Sequence, residues 1–177
     1  MTAGLESASG LLYLAPMAKK FDAAASQALV QAAFVCDLIT VRQQLANGAD
    51  PDARDEDGRP PLVSAVLGGS IGLVGLLLES GADVNARDPR GFAPLHFAAE
   101  EQLPEMTRLL LAKGADPNLQ DEDGTTPLGR AIFSERDQHE VARILVQAGA
   151  KPDLANKAGE SPRELATRLG SGAFTAN

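Results

Sequence analysis

Two histidines, one cysteine and two acid-rich loops are the places where this 177-residue chain could do chemistry. A zinc site draws its Cys and His ligands into close groups. His96 and His139 lie in different stretches, and neither has a second His or a Cys beside it. His96 reads as a hydrogen-bonded residue at a helix start. A nucleophilic thiol wants a general base within reach, and Cys36 has no histidine in its own stretch. Asp55-Glu56-Asp57-Gly58 and Asp121-Glu122-Asp123-Gly124 begin like calcium loops. The twelfth place of such a loop must carry a carboxylate, and here it holds Val66 and Ile132. There is no glycine-rich phosphate loop with its lysine. The sequence therefore predicts no catalytic residue, no cofactor and no metal ligand.

Composition narrows the classes further. Lys plus Arg number 16 and Asp plus Glu 24, for a net charge of −8. Binding to phosphate backbones depends on neutralising Lys and Arg, so a nucleic-acid partner is not expected. The acidity suits either a basic protein partner or simple solubility. A single cysteine rules out an intrachain disulfide. No apolar run approaches the roughly 18 residues of a membrane span. The run Leu11-Leu12-Tyr13-Leu14-Ala15 follows Glu6 and no basic residue, which is not the positive start of an export signal. These features predict a cytoplasmic chain, monomeric on its own, with no membrane and no small-molecule substrate. An exported or surface-attached effector acting on host proteins is the alternative.

The elements that would position any site come from a repeated phrase. Gly81-Ala82-Asp83-Val84-Asn85-Ala86-Arg87-Asp88 has an earlier copy from Gly48 and later ones from Gly114 and Gly149, at steps of 33, 33 and 35. A period in this range marks a stacked array. Within each unit a turn with Asp and Gly precedes a proline suited to the first position of a helix. A short helix follows, over Pro61 to Leu67 in one copy, then a longer one over Ile71 to Glu79, closed by Gly81 in the left-handed conformation. Pro94, Pro104 and Pro127 open further helices. The two surplus residues of the later unit fall around Ser134 to Gln138, in a loop, because a helix could not absorb them without rotating its apolar face. Alanine pairs such as Ala32-Ala33 and Ala98-Ala99 let helices of neighbouring units approach closely, so the stack itself is the core. The expected division is a poorly ordered tail over residues 1–17, a capping helix and first unit over 18–54, and units over 55–87, 88–120 and 121–155. A polar half-unit over 156–177 closes the chain. Terminal units are atypical because one face meets water, and Gln43 and Gln44 stand where later units have leucines.

The pattern resembles the ankyrin repeat family. The likeness rests on Asp88, Gly91, Ala93-Pro94-Leu95-His96, Ala98-Ala99, Leu109-Leu110-Leu111 and Gly114-Ala115-Asp116, beside the family's Thr-Pro-Leu-His signature. Thr126-Pro127-Leu128 keeps its start, whereas Val63 and Gly129 replace the histidine. The resemblance implies an all-α ankyrin-repeat solenoid of helix-turn-helix units joined by β-turn or hairpin loops. It also implies a protein-binding, non-enzymatic role, with an immunity protein, inhibitor or adaptor as specific versions.

By the same resemblance, the turn tips and first helices line a concave face where partners bind. The candidates are Glu56, Asp57, Arg59, Arg90, Phe92, Glu122 and Asp123 at the tips. Leu67, Glu100 and Phe133 stand six residues after the helix-opening prolines, with Phe34 in the matching first place, and Glu101 follows Glu100. An aromatic on a solvent-facing turn is the kind of residue that anchors an interface; Phe92 either does so or folds back over the neighbouring tip. Leu67 and Phe133 either face the groove or pack beneath the turns or against the inserted residues of the fourth unit. The acids around them would form a rim suited to a basic partner.

Overall fold

The computed structural model describes residues 21–134 and 139–174. The expectations for the tail over 1–17 and for the inserted residues 135–138 fall outside them. The chain forms α1 (Ala23–Phe34), α2 (Leu38–Ala46), α3 (Pro61–Leu67), α4 (Ile71–Glu79), α5 (Pro94–Glu100), α6 (Pro104–Ala112), α7 (Pro127–Phe133), α8 (Glu140–Gln147) and α9 (Pro162–Leu169). Among the described residues no strand occurs. The architecture is the all-α solenoid that the repeat implies.

α1 packs on α2, α3 on α4, α5 on α6 and α7 on α8, and the units stack through their first helices in the order α1, α3, α5, α7, with α9 closing the series against α7. Proline begins α3, α5, α7 and α9, with no side-chain cap on α3. Its fixed φ is already helical there, and the amide hydrogen it lacks would have had no intrahelical acceptor. Ser161 and Glu164 add a reciprocal cap to α9. Gly48, Gly81, Gly114 and Gly149 all have φ between 86 and 94° just past the second helices, as the sequence predicts.

The apolar core runs the length of the stack. Leu29, Leu62, Leu95 and Leu128 are fully buried at equivalent places, as are Ala65 and Ala98 at a second place and Ala33, Val66 and Ala99 at a third. At roughly 25 cal/mol per Å² of apolar surface, such faces stabilise only when a neighbour covers them. α2 is the exception. It buries Val41 alone, whereas α4 buries Leu73, Val74 and Leu77. A groove of about 400 Å³ lined by Arg42, Leu45, Leu76 and Ser80 separates these two second helices.

The loops carry a second set of inter-unit ties. In each turn an Asp or Asn accepts an amide four residues on: Asp55 from Arg59, Asp88 from Phe92, Asp121 from Thr125 and Asn156 from Glu160. Three residues earlier, a side chain reaches forward. Asp52 accepts from the Asp83 amide, Asn85 from that of Asp116 and Asn118 from that of Lys151, at 2.8–3.0 Å. Between these, Arg54 donates to the Arg87 carbonyl, Arg87 to that of Gln120, and Gln120 to that of Ala155. Every unit is thereby bonded to the next through its loop as well as through its core.

Candidate functional site

The turn tips present their acids to water. Glu56, Asp57, Glu122 and Asp123 are exposed, and Arg59 lies half-buried with its guanidinium 3.3 Å from Asp57. These side chains are free to face outward because the turns are already satisfied internally: the Asp55 and Asp121 carboxylates take up the amides of Arg59, Asp123 and Thr125. The Glu122 amide is bound to the Arg90 carbonyl of the preceding turn at 3.0 Å. The tips at Arg90 and Glu122 are therefore tied to each other, while the carboxylates of Glu56, Asp57, Glu122 and Asp123 remain exposed.

At the far ends of the first helices stand Leu67 and Phe133, 47% and 66% exposed. Glu100 holds the equivalent place in the unit between them and is half-buried, its carbonyl accepting from the Ser134 hydroxyl. Glu101 is exposed. Neither Leu67 nor Phe133 is buried, and the alternative of packing against the inserted residues 135–138 lies outside the described residues.

Phe92 is a correction. Its ring is 5% exposed and so does not stand out from the turn as an anchor. Arg90 and Arg130 place guanidinium carbons 4.5 and 4.2 Å from its centroid, and the Phe97 ring centroid is 5.2 Å away. Each arginine is itself held by a buried carboxylate: Arg90 by Asp88 at 3.3 Å, and Arg130 by Asp121 at 2.5 Å. Cations over an aromatic face are favoured by the ring quadrupole. Arg90 still leaves more than half of its side chain exposed. Arg130, in a first helix, is the residue that sequence reasoning missed; its one signal was a charge inside an otherwise apolar helix start.

His96 occupies the buried centre of the same region. Its Nδ1 accepts the Ala93 amide at 3.1 Å and its Nε2 lies 3.2 Å from the Thr125 carbonyl of the next unit. Burial holds its pKa below the usual histidine value of 6.5. The ring is a tie between units, as the helix-start reading expects. Gln102, which the sequence did not single out, makes a similar tie. Its Nε2 donates to the carbonyls of Ala99 and Ala131.

Chemistry beyond binding finds little material. Among the described residues no group of three His, Cys, Asp or Glu side chains could hold a metal ion. Cys36 lies in the turn between α1 and α2 with φ 55°. A Cβ on Gly68 would come within 2.3 Å of its sulfur, so the thiol packs against the backbone of the neighbouring turn. Among the described residues no helix is long and apolar enough to cross a membrane.

What the arrangement offers is a surface: acids fixed at successive tips, apolar side chains at the ends of first helices, and a scaffold that locks one unit to the next. Comparison with known proteins gives that scaffold its family. A model described as ankyrin repeats in three copies matches residues 29–121, and one for a single ankyrin repeat matches residues 123–157. No curated protein matches the chain. Ankyrin repeats are general protein–protein interaction modules and not catalysts, and with these matches covering most of its length the chain belongs to the ankyrin repeat family.

Proposed function

We propose that this protein is a non-catalytic binding module that grips a basic protein partner, as an inhibitor, immunity protein or adaptor. The observation that carries the reading is the exposure of Leu67 and Phe133 at repeat-equivalent places. Solubility alone would favour a polar residue there, as Glu100 is in the unit between. A desolvated apolar contact supplies affinity. The rim of Glu56, Asp57, Glu122 and Asp123 supplies charge complementarity and a faster encounter. The partner then has an apolar centre ringed by Lys or Arg.

The test is capture of a partner by immobilised protein, followed by the same capture with two variants. Leu67→Ser/Phe133→Ser removes the apolar contact, and Glu122→Lys/Asp123→Lys reverses part of the rim. Each is expected to lose the partner while keeping stability within about 0.5 kcal/mol, as surface substitutions do. Phe92→Ala is the contrast, expected to cost about 3 kcal/mol or more as a large-to-small change in a packed site. A partner retained equally by wild type and both variants would show that it binds elsewhere and sink the proposal.

A further inference from the structure

The joints along the stack are not equally braced. Between α5/α6 and α7/α8 a set of bonds crosses in addition to the loop ladder. His96 Nε2 meets the Thr125 carbonyl, Gln102 donates to the Ala131 carbonyl, and the Ser134 hydroxyl donates to that of Glu100. The Glu122 amide donates to the Arg90 carbonyl, and Arg108 holds Glu140 at 2.6 Å. One period earlier, between α3/α4 and α5/α6, each of these is replaced by a residue that cannot make it. Val63, Gly69 and Gly75 stand where His96, Gln102 and Arg108 reach across, and their side chains hold no polar atom. Glu101 takes the place of the Ser134 hydroxyl. Pro89 takes that of Glu122 and has no amide hydrogen to give to the Asp57 carbonyl. Among the described residues, the hydrogen bonds across this joint are those of Asp52 and Arg54 in the loop ladder. The second helices differ in the same sense: α6 packs on α8, while α4 and α6 barely touch.

We infer that the chain divides at this joint: α5 to α9 form a braced body that stays folded while α1 to α4 open in a step of their own. Burial of Leu62, Val66 and their neighbours holds the joint shut in the resting chain. Apolar burial is not directional, however, and adds no bond that fixes one pair of helices on the next. A stack opens where the term between neighbours is smallest, and such segments open below the global free energy. α4 deepens the asymmetry, because Gly72 and Gly75 lie within it and glycine in a helix interior costs backbone entropy. Opening of this kind belongs to the isolated chain, so it is decided separately from the partner reading. Where that reading holds, Leu67 lies in the part that opens and Phe133 in the part that does not, and only the closed chain offers both.

Hydrogen exchange of the full chain, read by mass spectrometry in low urea, tests the division. Protection should change in a step between α4 and α5, with α3 and α4 exchanging about tenfold or more faster than α7 and α8. Fraying from the ends alone would leave α3/α4 at least as protected as α7/α8, since a full helix pair precedes α3 and only α9 follows α8. Equal protection of the two pairs therefore overturns the inference. The second arm is Gln102→Gly/Ser134→Ala, which removes two braces of the later joint. Gln102 has φ 53°, a conformation that glycine takes freely, so the fold should survive. In this variant α5 to α8 should lose protection and α3 and α4 should keep theirs, so the step shrinks. A loss shared equally by α3 and α4 would show a single cooperative unit, and no change in α5 to α8 would show that these bonds do not set the boundary; either result overturns the inference.

Discussion

At His96 two neighbours ask different things of one ring. The Ala93 amide donates to Nδ1, so the ring proton sits on Nε2 and goes to the Thr125 carbonyl. A second proton would have to go on Nδ1, where it would face another N–H. Burial opposes it as well, lowering the pKa from 6.5. In the unfolded chain the ring takes a proton near 6.5, and in the fold only at lower pH. The contribution is therefore complete above 6.5 and is lost as pH falls from there to the depressed folded value. Melting temperature should drop between about pH 7.5 and 5.5 in the wild type, and the drop should be smaller in His96→Gln. An unchanged slope in the variant would mean that His96 does not titrate differently in the two states. Phe92 teaches a related lesson. Its covering groups include Arg130, 38 positions away (130 − 92), and nothing local to the turn tells the sequence reader that a guanidinium will arrive there.

At the scale of the elements, helix phase was legible because proline and glycine act locally. The starts at Pro61, Pro94, Pro104 and Pro127 and the ends before Gly81 and Gly114 follow from backbone chemistry that no neighbour alters. The sideways ties were not legible, since Asn and Gln in a loop look alike whether they meet water or another unit. Glycines show the same division. Gly81 has φ 94°, and a Cβ there would meet nothing within 4 Å. Gly91 has φ 78°, and a Cβ there would lie 2.8 Å from the Glu122 backbone nitrogen of the next turn. Alanine at Gly81 should cost about 1–2 kcal/mol of left-handed strain. Alanine at Gly91 should cost roughly twice that, because it also forces apart two bonded turns. Urea denaturation of the two variants decides it; equal losses would show that the turns slide apart freely.

Over the whole molecule, stability is a sum of units and of the contacts between neighbours, so damage should stay near where it is done. Asn118 ties its unit to the next twice, accepting from the Lys151 amide and donating to the Gly149 carbonyl. Asn118→Ala should cost about 1–2 kcal/mol for these exposed bonds. By hydrogen exchange the loss should fall on α8 and α9, leaving α3 and α5 protected as before. A uniform loss along the chain would show a cooperativity that the nearest-neighbour picture does not contain.

The forward-reaching loop bonds have a consequence at the two ends of the series. One period beyond Asn118 stands Asp153, whose carboxylate is taken by Arg163 in two bonds of 2.6 and 3.2 Å. This partner also holds the Asp153 pKa below the usual carboxylate range. At the other end, the Asp50 amide, which matches those of Asp83 and Asp116, donates to the Ser26 hydroxyl. Both outermost rungs are thus occupied from within. Head-to-tail stacking is a heterologous contact, and when it fails to close it produces fibres. For a second molecule to dock in register here, it would first have to displace Arg163 on one side and Ser26 on the other. The ladder that lets repeats add to one another within the chain is chemically terminated against polymerisation.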